Sequence, residues 1–276
     1  MYGPVSNQSD AQQLQDDLDA LTKWSGEWLL QFNLEKCKVM HCGSQNPKFT
    51  YRMKTVTGQA QVLEETLVEK DLGVYITNTL KPSLNSAKSA SRAMSALRVL
   101  RLTFGRLTVG NFKILFSVYV RPHLEHCIQA TSPYLVKDIR TLEKVQRRAT
   151  KLVQGLKWVP YEERLKVLEM TSMEERIRRG DLIETYKILT GKVNISPCQF
   201  FINHQDRTTR GHHLKLKIRR ARTQARAKLF ANRVVLAWNK LSTEIITSEN
   251  TNTFKNRLDK LRTVVALSSL FNIHSV

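Results

Sequence analysis

The amino-acid sequence predicts an α+β protein in which helix predominates. Apolar residues recur at steps of three and four along nearly every stretch after Pro82, as amphipathic helices require. Before Pro82, one such helix precedes short alternating segments punctuated by Gly43, Gly58 and Gly73, the pattern of strands and turns. Charge is divided along the same line: residues 1–80 hold 7 Lys/Arg against 10 Asp/Glu, and residues 81–276 hold 37 against 14. A chain of 276 residues can support one large or two modest cores, and its 41% hydrophobic content is ordinary for a globular protein.

The first helix has Leu14, Leu18, Leu21, Trp24 and Trp28 on one face, with Ser9 or Asp10 as its expected cap. Asp16, Asp17 and Asp19 sit near its start, where the helix dipole favours anions, and Gly26 weakens it without ending it. Lys36–Cys42, Phe49–Met53 and Gly73–Thr77 alternate as short strands. Past Pro82, Leu84, Ala87, Ala90, Met94, Leu97 and Leu100 mark a helix that Gly105 stops. A second spans about Asn111 to Ile128 and is kinked or broken by Pro122. A third runs from about Lys137 to Val153, a fourth starts at Pro160, and Ser172 with Glu175 forms a capping box that opens a fifth. Residues 192–213 read as a connector. A long basic helix from about Arg219 to Leu241 and a shorter one from Thr251 to Leu261 close the chain.

The net charge of +20 and a pI near 10 point to a polyanionic partner, most simply nucleic acid. Lys81 to Leu124 contains eight Lys/Arg and no acid, and Lys88 and Arg92 lie within it. Arg207 to Thr243 contains eleven, again with no acid. A merely soluble surface mixes both signs, so two such tracts favour phosphate contact over plain solvation. The third helix is the sharpest case. At 100° per residue, Leu135, Ile139, Leu142, Val145, Ala149 and Leu152 share one face. Arg140, Lys144, Arg147 and Lys151 fall opposite, with Arg148 beside them, although Glu143 in the same helix argues for a merely solvated face. In the last tract Arg222, Arg226, Arg233 and Lys240 form a second stripe on the expected long helix.

Other constellations carry less. Cys37, His41 and Cys42 alternate across a strand, which is poor geometry for one zinc ion. His123, His126 and Cys127 fall at helix-face spacing, but ordinary packing is the better reading; His212-His213 is a loop pair. No metal site is expected. The four cysteines form no disulfide framework, which suits a reducing intracellular setting, nuclear or cytoplasmic. No apolar stretch is long enough to span a bilayer, so no membrane is expected as a partner.

A string of motifs adds a family. Met1-Tyr2-Gly3-Pro4-Val5-Ser6-Asn7-Gln8 reads as the continuation of a polymerase palm. Trp24…Trp28-Leu29…Phe32-Asn33-Leu34-Glu35-Lys36-Cys37, Glu69-Lys70-Asp71-Leu72-Gly73-Val74 and Arg121-Pro122-His123-Leu124-Glu125-His126-Cys127 follow in order. Gln146-Arg147-Arg148-Ala149-Thr150-Lys151 and Arg179-Gly180-Asp181-Leu182-Ile183-Glu184 complete the series. Together they resemble the C-terminal half of reverse transcriptases from non-LTR (LINE-type, jockey-like) retrotransposons, over nearly the whole chain.

The resemblance implies a truncated palm remnant of strands plus helix at 1–80, a helical thumb bundle at 81–191 and a basic helical C-terminal region at 192–276. Lys36 matches the family's lysine beside the incoming triphosphate. Asp71, Leu72, Gly73 and Val74 match the primer-grip hairpin. The family's Ala-Asp-Asp motif, which holds Mg2+ or Mn2+ for phosphoryl transfer, is absent from these residues. The expectation is therefore a truncated remnant with no catalytic residue and no cofactor as it stands. It would retain sequence-independent binding of RNA or an RNA–DNA duplex through phosphate contacts. Two alternatives stand beside it: an incomplete gene model of an active reverse transcriptase, or a helical scaffold without a nucleic-acid role.

Overall fold

A computed structural model of the chain describes residues 1–43, 45–54, 58–203 and 211–264. The fold is α+β and predominantly α. It divides into two compact units, Met1–Lys81 and Pro82–Val276. The first residues of the second acid-free tract, 207–210, lie outside the described residues.

In the first unit α1 covers Gln8–Glu27. Its cap is Asn7, in place of the expected Ser9 or Asp10. The Asn7 side chain accepts from the Asp10 amide at 2.9 Å, and Asp10 accepts from the amide of Ser6, the residue before the cap, at 2.8 Å. Leu14 and Leu18 pack on Tyr51, Met53 and Leu63, a small core completed by Leu34, Cys37, Val39 and Phe49. Trp24 and Trp28 do not join it; Trp28 is 66% exposed. The strands are too short to reach that end of the helix. They are β1 (Lys38–Val39), β2 (Arg52–Lys54), β3 (Ala60–Val62), β4 (Glu64–Glu65), β5 (Val68–Asp71) and β6 (Val74–Thr77). Among the described residues β1 pairs with β4 in parallel, and β2 with β3 and β5 with β6 antiparallel. The strand expected from Lys36 shrinks because Leu34–Lys36 winds into a 3-10 turn first.

In the second unit α2 (Ser83–Phe104) ends at Gly105, whose φ of 61° is left-handed and favours glycine. Its buried face is Ser86, Ser89, Ala90, Ala93, Leu97 and Leu100, so the expected stripe is rotated at the start and Ala87 is exposed. Next come α3 (Val109–Leu115), a π-helical turn (Phe116–Val120), α4 (Arg121–Glu125) and α5 (Ile128–Thr131). Pro122 explains the interruption. It has no N–H to donate and its ring crowds the carbonyl four residues back, so the preceding turn widens. Cys127, at φ 51°, then breaks the path between α4 and α5.

Completing the fold are α6 (Val136–Thr150), α7 (Tyr161–Val167) and α8 (Met173–Leu189), then the short α9 (Gln224–Ala227), α10 (Phe230–Arg233), α11 (Val235–Asn239) and α12 (Thr243–Ile246), and finally α13 (Thr251–Val264). Ser172 caps α8 by accepting from the Glu175 amide at 3.2 Å.

Two cores meet at α8. One joins Ala93, Leu97, Phe112, Phe116, Leu124, Leu142, Val145 and Met173. The other joins Leu182, Tyr186, Leu216, Phe230, Val234, Trp238, Phe254 and Leu258. The expected helix over 219–241 is broken into turns. Leu229 is extended (ψ 148°), and side chains take over the backbone there. Asn232 donates to the Arg226 carbonyl at 2.6 Å, and Asn239 both donates to and accepts from the Leu216 backbone at 2.8 and 2.9 Å. Like charges at Arg222 and Arg226, four residues apart, also weigh against a continuous helix.

His212 is 3% exposed and packs on Trp238 of the second core. Its Nε2–H donates to the Trp238 carbonyl at 3.2 Å, and its ring meets the indole edge-on at 6.0 Å. Burial holds its pKa below the ordinary imidazole value; the Trp238 bond opposes that shift, and Lys215 and His213 add to it. The unfolded chain therefore takes up the proton first. Stability is full above about pH 6.5, starts to fall below it, and the loss is complete once pH has passed the lower folded value. Thermal midpoints should drop on acidification through that window, and His212→Gln should flatten the drop; an unchanged slope in the variant would place the acid sensitivity elsewhere.

Candidate nucleic-acid interface

The candidate surface is the outer face of α6. This helix lies parallel to α2: Ser83 donates to Asp138 at 2.7 Å near their starts, and Leu107 pairs with the Leu152–Gln154 backbone after their ends. Leu142, Val145 and Ala149 are buried between them and the rest of the core. With that stripe committed inward, Arg140, Lys144, Arg147, Arg148 and Lys151 are all exposed. Lys137, which the sequence reading passed over, is exposed one turn earlier on the same stripe. Successive cations are about 5–6 Å apart along the axis, and the row from Arg140 to Lys151 runs roughly 16 Å.

The acids of α6 do not dilute this row. Asp138 is only 4% exposed and accepts from Ser83. Glu143, expected to weaken the cationic face, is turned inward. It accepts from the Tyr161 hydroxyl and from the Met173 amide, the latter at 2.8 Å, so it helps cap α8. Burial and that donation to Glu143 push the Tyr161 hydroxyl well above its ordinary pKa. Among the described residues, Arg147 is the one cation of the row with a carboxylate partner, Glu162 at 3.7 Å, and its guanidinium lies 4.3 Å from the Tyr161 ring.

The other expected contacts stand on other elements. Lys88 is exposed on α2, and Arg92 is half-buried with a nitrogen 3.4 Å from the Ser89 hydroxyl. Arg222 precedes α9, Arg226 lies within it and Lys240 follows α11; all three are exposed, but on separate turns and not along one stripe. Arg233 is corrected outright. Its guanidinium grips the buried carboxylate of Asp181 with two contacts of 2.7 Å and reaches the carbonyls of Ile128 and Gln129 at 3.4 and 3.2 Å. Burial pushes the Asp181 carboxyl up, and the Arg233 fork works against that shift. Arg233 is a structural pin.

In the first unit, Lys36 is exposed at the end of its 3-10 turn. Asp71, Leu72, Gly73 and Val74 form the tip of the β5–β6 hairpin, with Asp71 opposite Val74. Leu72 and Gly73 take φ of 45° and 84°, a two-residue turn with both central residues left-handed. Glycine adopts this readily, whereas Leu72 does so at a cost of about 1–2 kcal/mol. Asp16, Asp17 and Asp19 accept from Gln12, Gln13 and Gln15 one turn earlier, the solvated arrangement of a helix surface. Among the described residues no three His, Cys, Asp or Glu side chains gather as a metal would need, and no helix is long and apolar enough to cross a membrane. Comparison with protein-family models, with curated proteins and with solved structures finds no match.

The two kinds of arginine separate by experiment. Arg233→Met should cost roughly 3–5 kcal/mol in urea unfolding by leaving Asp181 buried and unpaired, whereas Arg148→Ala should change stability by less than about 0.5 kcal/mol. Equal losses would put Arg148 inside the packing.

Proposed function

We propose that this chain binds RNA or an RNA–DNA duplex without regard to sequence, its phosphates paired along the cation row of α6. The single observation that supports this is that α6 keeps five cations in water while turning both of its carboxylates inward. A helix kept soluble by charge alone has no need of that separation, because mixed signs serve solubility better. Outward cations spaced at one per turn suit a phosphate backbone, and pairing releases its condensed counterions.

The resemblance to the C-terminal half of non-LTR reverse transcriptases supports the same reading, since a thumb tracks template–primer by backbone shape. On that reading these residues correspond to the part of such an enzyme that contacts template–primer, and none of them matches its metal-holding carboxylates. Supplied with primer, template and magnesium or manganese, the 276-residue chain is expected to add no nucleotide. A templated product would restore the enzyme alternative.

Binding itself has a quantitative test. With about six phosphates engaged, affinity should fall by roughly a thousandfold between 50 and 200 mM salt. Lys144→Glu with Arg148→Glu should flatten the log–log salt slope by about 2 and weaken every sequence alike. Salt-insensitive binding, or none, would favour a scaffold that recognises protein instead.

A further inference from the structure

We infer that the α6 surface takes a single-stranded segment, one base of which stacks on Trp158; this rests on the phosphate-binding reading above. Trp158 is 86% exposed in the turn that returns the chain from α6 to α7. Lys157 Nζ lies 4.6 Å from the indole centroid, which leaves the opposite face of the ring to solvent. The turn is firmly mounted. Leu156 is buried in the first core, and the Val159 amide donates to its carbonyl at 3.3 Å. Tyr161, three residues on, is held by Gln146 at 2.9 Å and lies against Arg147.

That mounting fixes where the indole stands. Three residues span at most about 10 Å, so Trp158 stays close to the part of the row that carries Arg147. Lys151, the last cation of the row, begins the same return of the chain. Cations that hold a backbone, ending at a rigid exposed aromatic, are the combination that binds single strands: the ring stacks any base, and the cations pair the phosphates. A continuous duplex keeps its bases stacked on one another and offers an exposed indole only its terminal pair. Lys157 adds charge at the same point, and no acidic side chain occurs between Lys144 and Glu162 to oppose it.

The test uses the full chain with a uridine strand of about twelve nucleotides, longer than the roughly 16 Å row, its abasic counterpart and a blunt RNA–DNA duplex. Trp158→Ala should weaken the uridine strand roughly tenfold and leave the duplex unchanged, and Trp158→Phe should recover most of the loss. The unaltered chain should bind the abasic strand about as weakly as Trp158→Ala binds the uridine strand. Equal affinity of the two chains for the uridine strand, or an equal loss on the duplex, overturns the inference. So does a Trp158-dependent blue shift on phosphatidylserine vesicles without strand preference. If Trp158→Ala has no effect while Lys144→Glu with Arg148→Glu abolishes binding, only this inference fails. Undiminished binding after the charge reversal, or no binding by the unaltered chain, removes the phosphate reading as well.

Discussion

A helix that buries Leu142, Val145 and Ala149 against a parallel neighbour has no choice about where its other side chains go. The amphipathic commitment of α6 is the constraint on which the second unit depends. Burial of Leu142 and Val145, each worth about 1.5–3 kcal/mol, with the smaller Ala149 beside them, fixes the rotation of the helix about its axis. Once that rotation is set, Arg140, Lys144, Arg148 and Lys151 face water. The two acids lie on the flanks, where Ser83, Tyr161 and the Met173 amide hold them. Hydrogen bonds, not solvent, hold the acids.

The same economy governs α8, which serves both cores. Its Arg179 forks onto Asp259 of α13 at 2.7 and 2.8 Å, and its Asp181 receives Arg233 of α10. Tyr186 from the same helix stacks on Phe254 with ring centroids 4.3 Å apart. The string Arg179-Gly180-Asp181, which contributes to the family resemblance, therefore has a packing role in this chain. Cations spent in this way are unavailable to a nucleic acid, and a count of Lys and Arg overstates the binding surface.

What could be read from residues alone divides along a physical line. Long helices with one apolar stripe were legible, because periodicity is local: α2, α6 and α8 lie close to their expected bounds, and Gly105 and Ser172 end and begin them as side-chain chemistry dictates. The segment 219–241 was not. Its apolar residues repeat as a helix would, but Asn232 takes the Arg226 carbonyl six residues back, and Asn239 bonds to the Leu216 backbone, a partner that only the tertiary fold reveals. The first unit misled in another way. Trp24 and Trp28 fall on the helix face occupied by Leu14 and Leu18, and burial there requires a sheet long enough to cover them, which two- to four-residue strands are not. For the candidate surface, the α6 row was legible and the role of Arg233 was not, since its partner Asp181 stands 52 residues away. Trp158 carries no periodic signal in its turn, and only its exposure marks it.

On the proposed function, polyanions meet the outer face of α6 and not the basic chain at large. Lysine acetylation, read residue by residue with and without a saturating RNA, measures this directly. The account predicts protection of Lys137, Lys144 and Lys151, with Lys228 and Lys255 modified as fast as in the unbound chain. Uniform protection over all these lysines, or protection confined to residues after 220, would contradict it.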